Sequence, residues 1–146
     1  MTEDLPAYQV VTWILIAVGW AIVNSQHNKR ETRKEARVMA DNSKRLTVEV
    51  TKLAIQYFCS RDEHLASDIK SELQVLEIEF ERFPLFKRGS TLMTRFVEFS
   101  DLVTGGNFES QSRVVLSSHS SELAGIRRAR NALMGEIEHQ FTVHYC

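Results

Sequence analysis

An uncharged stretch near the N-terminus constrains this chain more than any other feature. Residues 10–23 read VVTWILIAVGWAIV, and residues 6–9 before them carry no charge either. Counted from Pro6 to Asn24, the stretch approaches the ~20 residues that a helix needs to cross ~30 Å of hydrocarbon. A buried helix of a soluble protein would show one polar face, whereas this segment is apolar on every side. The sequence therefore predicts a transmembrane helix, with residues 1–25 as the anchor.

The charges on either side of this segment predict its orientation. Glu3 and Asp4 precede it, and no basic n-region or small-residue cleavage site marks a removable signal peptide. The basic residues that follow it are Lys29, Arg30, Arg33, Lys34 and Arg37. Because positively charged flanks stay in the cytoplasm, we expect a single-pass protein of the cell inner membrane whose C-terminal domain is cytoplasmic.

The predicted span also carries a candidate contact surface. Trp13, Ala17 and Trp20 share one helix face, and Ala17 begins a pair of small residues spaced four apart, which lets two helices approach closely. The alternative is that both tryptophans face lipid. Beyond the span, Lys29 and Arg30 can touch anionic headgroups, although a topology signal is the simpler explanation. The partners predicted here are the lipid bilayer and further copies of the chain in a homo-oligomer.

Composition limits what can follow the anchor. Of the 146 residues, roughly 100 remain beyond a basic juxtamembrane stalk at residues 26–45, which is enough for one cytoplasmic domain at residues 46–146. The formal net charge of −1 argues against duplex nucleic acid as an electrostatic partner of the whole chain. Only two Pro and six Gly argue against a turn-rich β fold.

A helical pattern of apolar residues begins at Ala36, within the stalk. Apolar residues recur at spacings of three and four, as in a coiled coil, with Ser43 as a polar break. This seam consists of Ala36, Met39, Leu46, Val50, Leu53 and Tyr57. It is either a contact between subunits or the core face of a bundle helix, which is the commoner case.

Local signals divide the rest of the chain into three further helices. Residues 60–63 resemble a capping box that starts the second helix, which Pro84 ends. The third helix is predicted from about residue 90 to 104, where Gly105 and Gly106 stop it. The fourth is predicted from about residue 117 to 141. The fold class is therefore all-α, with the transmembrane helix continuing into a cytoplasmic antiparallel helical bundle.

Motifs for catalysis and metal binding are missing from the sequence. It contains no phosphate-binding glycine loop, no GxSxG, no HExxH and no CxxC pair. The five histidines are scattered along the chain. We therefore expect no catalytic residue, no metal ligand and no cofactor, and we interpret the protein as non-enzymatic.

One stretch favours a bound anion. Serines at the start of the fourth helix offer hydroxyls and free backbone amides at the positive end of the helix dipole, and arginines two turns later offer forked donors. The residues predicted to bind a phosphorylated ligand, such as a nucleotide second messenger, are Ser118, His119, Arg127, Arg128, Arg130 and Asn131. In the alternative interpretation, the serines only cap the helix and the arginines pair with the acidic second helix.

Three short stretches carry a resemblance to other proteins. TWILIAVGW at residues 12–20, NKRETRKEAR at 28–37 and the turn VTGGNFE at 103–109 resemble membrane-anchored helical proteins of bacterial mobile elements and defence islands. At the level of architecture, the chain also resembles the small membrane effector of type III CRISPR systems. That resemblance implies a cytoplasmic domain that binds cyclic tetra-adenylate and a membrane part that acts in antiviral defence.

Two functions follow as hypotheses. In the first, the protein is a membrane-anchored sensor or effector, whose helical domain binds a phosphorylated ligand and which acts on the membrane as an oligomer. In the second, it is a membrane-tethered scaffold that holds a protein-interaction surface at the bilayer.

Overall fold

The chain folds into helices throughout the part that the structure describes. The computed structural model describes residues 7–60, 62–112 and 114–145, and within these ranges it has four α-helices and no strand. The helices are α1 (Ala7–Cys59), α2 (His64–Arg82), α3 (Thr91–Thr104) and α4 (Ser121–Tyr145). The predicted all-α class is confirmed. Glu3 and Asp4, which enter the topology prediction, lie outside the described residues.

The chain divides into two compact units. The first ends at Glu35 and the second begins at Ala36, so α1 contributes to both. In the first unit, α1 is long and apolar enough to cross a membrane, with a mean hydropathy of 1.4 over its most apolar window, none of which is buried. The second unit contains the rest of α1 together with α2, α3 and α4.

The core of the second unit is built from one apolar face of each helix. In α2 and α3 the buried residues recur every three or four positions, which is the period of a helix packed on one side. α3 and α4 pack against each other. The large side chains that lose all or nearly all solvent contact are Ile69, Leu76, Phe80, Phe83, Leu92, Phe99, Leu123, Ile126, Leu133 and Ile137.

The predicted seam on α1 belongs to this core. Ala36, Leu46, Val50 and Tyr57 are all 6% exposed or less, while Met39 and Leu53 of the same seam are partly buried and pack against the core. Of the two interpretations, a helix face buried in the core of one chain is confirmed. Because these side chains are already covered within one chain, the seam is not free to bind a second copy.

Polar side chains also lie on the buried face of α1. The hydroxyls of Thr47 and Thr51 donate to the carbonyls of Ser43 and Thr47, both at 2.7 Å, so each hydroxyl bonds the preceding turn of its own helix. Ser43 is fully buried, and its Oγ has no hydrogen-bond partner among the described residues.

The start of α2 differs from the predicted capping box. α2 begins at His64, after Glu63, which has helical backbone angles and makes no side-chain cap. Ser60 Oγ instead accepts a hydrogen bond from the Asp62 amide at 3.3 Å, and Asp62 Oδ1 accepts one from the His64 amide at 3.0 Å. These two hydrogen bonds turn the chain after α1. Ser60 and Asp62 therefore stabilise the connection between α1 and α2 instead of forming a capping box.

The start and end of α3 agree with the sequence signals. Ser90 is the N-cap, and its hydroxyl accepts a hydrogen bond from the Met93 amide at 3.2 Å. A Cβ atom at Gly105 would collide with the Asp101 carbonyl oxygen, and Gly106 has a positive φ of 60°. Both glycines are therefore required where the helix stops.

α4 is shifted by one turn relative to the predicted 117–141. Ser120 rather than Ser117 caps it, since Ser120 Oγ accepts from the Leu123 amide at 3.3 Å. At its other end the helix continues to Tyr145, whose ring stacks on Phe141 with centroids 5.4 Å apart. The run of serines offers several possible caps, and the local sequence does not distinguish between them.

We predict that removing a core side chain will destabilise the second unit. Leu133 is fully buried, so Leu133→Ala should lower the free energy of unfolding by about 2–5 kcal/mol. The measurement is urea unfolding of the full chain in mild detergent, followed by helical circular dichroism. Val143→Ala is the control, because Val143 is 63% exposed and its truncation should change the value by less than about 0.5 kcal/mol. Equal losses in the two variants would contradict this core.

Candidate functional site

The start of α4 is occupied by the chain's own side chains. The carboxylate of Glu122 accepts a hydrogen bond from its own backbone amide and from the Ser121 hydroxyl at 3.1 Å, and these bonds lower the pKa of Glu122. Ser120 is the N-cap, because its hydroxyl accepts a hydrogen bond from the Leu123 amide. A carboxylate therefore already lies at the positive end of the helix dipole, where an anionic ligand was predicted to bind.

The predicted ligand residues Ser118 and His119 lie in the exposed turn before α4. This turn is closed by hydrogen bonds from the Ser120 amide to the Ser117 carbonyl at 2.9 Å and from the His119 amide to Ser117 Oγ at 3.4 Å. Arg127 reaches back from α4, and its Nη1 donates to the Ser118 carbonyl at 3.1 Å. The structure thus brings Arg127 to this turn, in a contact with the backbone.

The other predicted donors spread around α4 instead of converging. Arg130 donates from Nε and Nη2 to Asn131 Oδ1 at 3.0 and 2.9 Å, so these two residues engage each other. Arg128 is exposed and lies about 100° around the helix from Arg127. Within the described part of the chain, none of the three arginines forms an ion pair with α2. The alternative interpretation is therefore right about capping and wrong about pairing with α2.

A ring of alternating charges joins α1 to α4. Arg37 contacts Asp41 at 3.1 Å and Glu138 at 2.7 Å, and Lys44 contacts the same two carboxylates at 2.9 and 2.8 Å. The Arg37 guanidinium also lies 5.1 Å from the centre of the Phe141 ring. The sequence indicates Arg37 only as part of a topology signal, because its partner Glu138 is far away along the chain.

This ring changes the acidity of its members. Hydrogen bonds from Lys44 and Arg37 lower the pKa of Glu138, and a hydrogen bond from Lys44 is the largest cause of the lowered pKa of Asp41. The hydrogen bond to Glu138 is the main reason that the pKa of Arg37 is raised. Burial lowers the pKa of Lys44, but its bonds to Glu138 and Asp41 outweigh burial and raise it.

Three surface clefts lie among the described residues of the second unit. A polar cleft of about 650 Å³ lies between Tyr57, Glu63 and the residues 109–112. One of about 360 Å³ lies between α2 and α3, beside Leu73 and Phe96. A more apolar cleft of about 270 Å³ lies among Phe58, Leu102 and Ile126. The six residues predicted to bind a phosphorylated ligand line none of these three clefts.

The membrane residues predicted from the sequence are exposed on α1. Trp13 and Trp20 are each 70% exposed, and Ala17 lies on the same face. Lys29 and Arg30 are exposed on the following turns. Among the described residues no group of three or more His, Cys, Asp or Glu side chains is placed to hold a metal ion.

Comparisons with known proteins do not assign this site. No family model, no curated protein and no solved structure matches the chain. The function is therefore argued below from the chain's own residues.

We predict that the charge ring will make stability depend on pH. Because folding lowers the pKa of Glu138 and Asp41, their stabilising contribution is present above about pH 4.5 and is lost as the pH falls through their folded values. Glu138→Gln should cost only about 0.5–1 kcal/mol at pH 7, since Arg37 and Glu138 are 41% and 45% exposed.

The measurement is the free energy of unfolding of the full chain in detergent between pH 7 and about pH 2.5. The difference in the free energy of unfolding between the wild type and Glu138→Gln should become smaller as the pH falls. Glu49→Gln is the matched control, because Glu49 pairs only with Lys52 on its own helix, at 3.0 Å. If this difference in the free energy of unfolding stayed constant across the whole pH range, the stabilising role of the charge ring would be contradicted.

Proposed function

We propose that the protein is a single-pass, non-enzymatic membrane protein that holds a helical interaction domain at the cytoplasmic face of the inner membrane. The observation that carries this proposal is the N-terminal part of α1, whose apolar window is entirely unburied. Side chains such as Ile14, Leu15 and Val18, which are 50–66% exposed, lose contact with water if this segment lies in lipid. A helix suits that environment because it satisfies its own backbone hydrogen bonds.

The basic flank supports the proposed orientation. Lys29, Arg30, Arg33 and Lys34 follow the apolar segment within three turns and are exposed on α1. Positive charges close to a span favour the cytoplasmic side. The domain that begins at Ala36 is therefore placed in the cytoplasm.

We also propose that the helices of the second unit form the predicted antiparallel bundle. Two contacts far apart on α1 support it. Arg37 bonds Glu138 near the end of α4, whereas the Phe58 carbonyl accepts a hydrogen bond at 2.8 Å from the Leu116 amide, just before α4. α1 and α4 then run in opposite directions.

We predict that charges placed in the apolar segment will release the protein from membranes. Ile14→Arg with Val18→Arg should cost about 5–7 kcal/mol of insertion free energy, since each arginine at the centre of a span costs about 2.5–3.5 kcal/mol. The measurement is the membrane-bound fraction of the expressed full chain after washing at alkaline pH. Val38→Arg with Val143→Arg is the control, since both valines lie outside the segment and are at least 60% exposed. Release of the wild type by the same wash would contradict the anchor.

Of the two roles for a tethered domain, the start of α4 favours the scaffold. A site for phosphate needs unpaired donors that converge. Here the carboxylate of Glu122 accepts a hydrogen bond from the backbone amide at the helix start, and Arg130 donates to the side chain of Asn131. A phosphorylated ligand would have to displace a carboxylate of like charge. The domain therefore acts by contact with other proteins.

The sensor or effector, with a possible part in antiviral defence, is the second candidate. One contact favours it: Arg127 lies against the carbonyl of Ser118, so a guanidinium is held beside the serine turn. A ligand that displaced Glu122 would find this donor in place.

The proposed homo-oligomer forms through the span. The seam from Ala36 to Tyr57 is covered within one chain, which leaves the predicted face with Trp13, Ala17 and Trp20 as the contact between copies. Small residues on such a face allow close helix contact.

We predict that the mass of the oligomer will not respond to nucleotides. The measurement is the mass of the detergent-solubilised full chain with and without a panel of cyclic and linear nucleotides, for the wild type and for Arg127→Glu with Arg130→Glu. All four samples should form the same oligomer. A nucleotide-dependent mass that is lost in this variant, but kept in the control Arg82→Glu with Arg95→Glu, would replace the scaffold with the sensor. A monomer in every sample would contradict the oligomer.

A further inference from the structure

The connection between α2 and α3 is built from two successive turns. The Phe86 amide donates to the Phe83 carbonyl at 2.9 Å, with Pro84 in the second position of that turn. The Ser90 amide then donates to the Lys87 carbonyl, also at 2.9 Å. Gly89 is in the third position of the second turn. Its backbone φ of +79° is one that residues with a side chain rarely adopt. The second turn, Lys87 to Ser90, is called the basic turn below.

Aromatic packing fixes this connection to the core. The Phe86 ring stacks on Phe80 with centroids 5.0 Å apart and meets Phe96 edge to face at 6.0 Å. Phe80 is fully buried. The basic turn follows Phe86 directly, so its backbone is held by a packed ring and a hydrogen bond instead of moving as a free loop.

The two cations of the basic turn are exposed and unpaired. Lys87 and Arg88 are both exposed, and in the described part of the chain neither forms an ion pair or a side-chain hydrogen bond. Several other cations of this unit lie beside acids: Arg82 lies 3.9 Å from Glu79, and Arg37 and Lys44 belong to the charge ring. The acid nearest in sequence is the exposed Glu81, on the last turn of α2. Two unpaired cations on a turn whose backbone is held in place suit an anionic partner.

The position of the basic turn in the second unit indicates which anion it meets. The loop after α3 lies beside the end of α1 and the first turns of α2, since the Glu109 amide donates to the Tyr57 hydroxyl at 2.9 Å and Lys70 contacts Glu109 at 2.7 Å. α2 leads away from that end to the basic turn. In the proposed antiparallel bundle, the basic turn is thus at the end of the unit where the chain enters at Ala36.

We propose that the basic turn binds the anionic lipid surface of the bilayer that anchors the chain. The proposal rests on the proposed membrane anchor and bundle, and it adds a second contact between the protein and the membrane. Each lysine or arginine near an anionic surface contributes about 1 kcal/mol, which is about fivefold in an equilibrium constant, and the effect disappears beyond a Debye length of roughly 8 Å. The occupant is lipid phosphate and not a soluble partner, because the end of the unit that carries these cations is the end from which the anchor leaves.

The experiment measures how fast Lys87 is acetylated in the full chain, reconstituted singly in nanodiscs of neutral lipid or of neutral lipid with anionic lipid. An amine that binds lipid phosphates reacts more slowly with the acetylating reagent. Lys87 should therefore react about three to five times more slowly in the anionic discs than in the neutral discs. High salt should abolish this difference. Lys52 is the internal control, because it lies sixteen residues beyond Ala36, roughly 24 Å along a helix. Its rate should be the same in both discs.

A variant pair links the slowing to the basic turn. Arg88→Gln keeps Lys87 as the reporter and should remove most of its slowing, whereas Arg128→Gln on α4 should leave it unchanged. Equal Lys87 rates in neutral and anionic discs, slowing in both kinds of disc, or slowing of Lys52 by the same factor would each overturn the proposal. Failure of the chain to enter nanodiscs at all would overturn the anchor as well, so the two failures are distinguishable.

Discussion

The second unit depends on burial of one face of α1. From Ala36 to Phe58 this face is lined by alanines, hydroxyl-bearing residues and a few large apolar side chains, and it is covered by the rest of the unit. Thr47 and Thr51 satisfy their hydroxyls on α1 itself, which keeps this polar face compatible with a dry core. The same burial removes the most obvious candidate for contact between subunits.

Electrostatic pairing is arranged differently in different parts of this unit. The charge ring connects two helices that are distant in sequence, and each of its cations touches both of its acids. At the start of α4, Glu122 lies at the positive end of the helix dipole, as a ligand anion would. At the basic turn, by contrast, Lys87 and Arg88 have no acidic partner in the described part of the chain. Positive charge is therefore left without an acidic partner at this turn.

Among the described residues no cluster of metal-binding side chains is present, and the predicted ligand residues do not converge on one of the three clefts. The apolar part of α1 is unburied over its whole most apolar window, which gives the proposed anchor its physical basis. In the proposed arrangement the anchor confines the domain to a thin layer at the bilayer, where modest contact surfaces are sufficient for binding.

Local patterns in the sequence were enough to predict the all-helical class, the apolar segment and the ends of α3, because periodicity, an uncharged run and glycine stop signals act over a few residues. They also showed that the seam on α1 is apolar, but not what covers it. Three outcomes became visible in the folded chain: the core covers this seam, Arg37 pairs with Glu138, and Glu122 and Ser120 occupy the start of α4. These outcomes depend on which distant residues the fold brings together and on which of several equivalent serines caps a helix. Local sequence does not encode either choice, since both are decided by packing between helices.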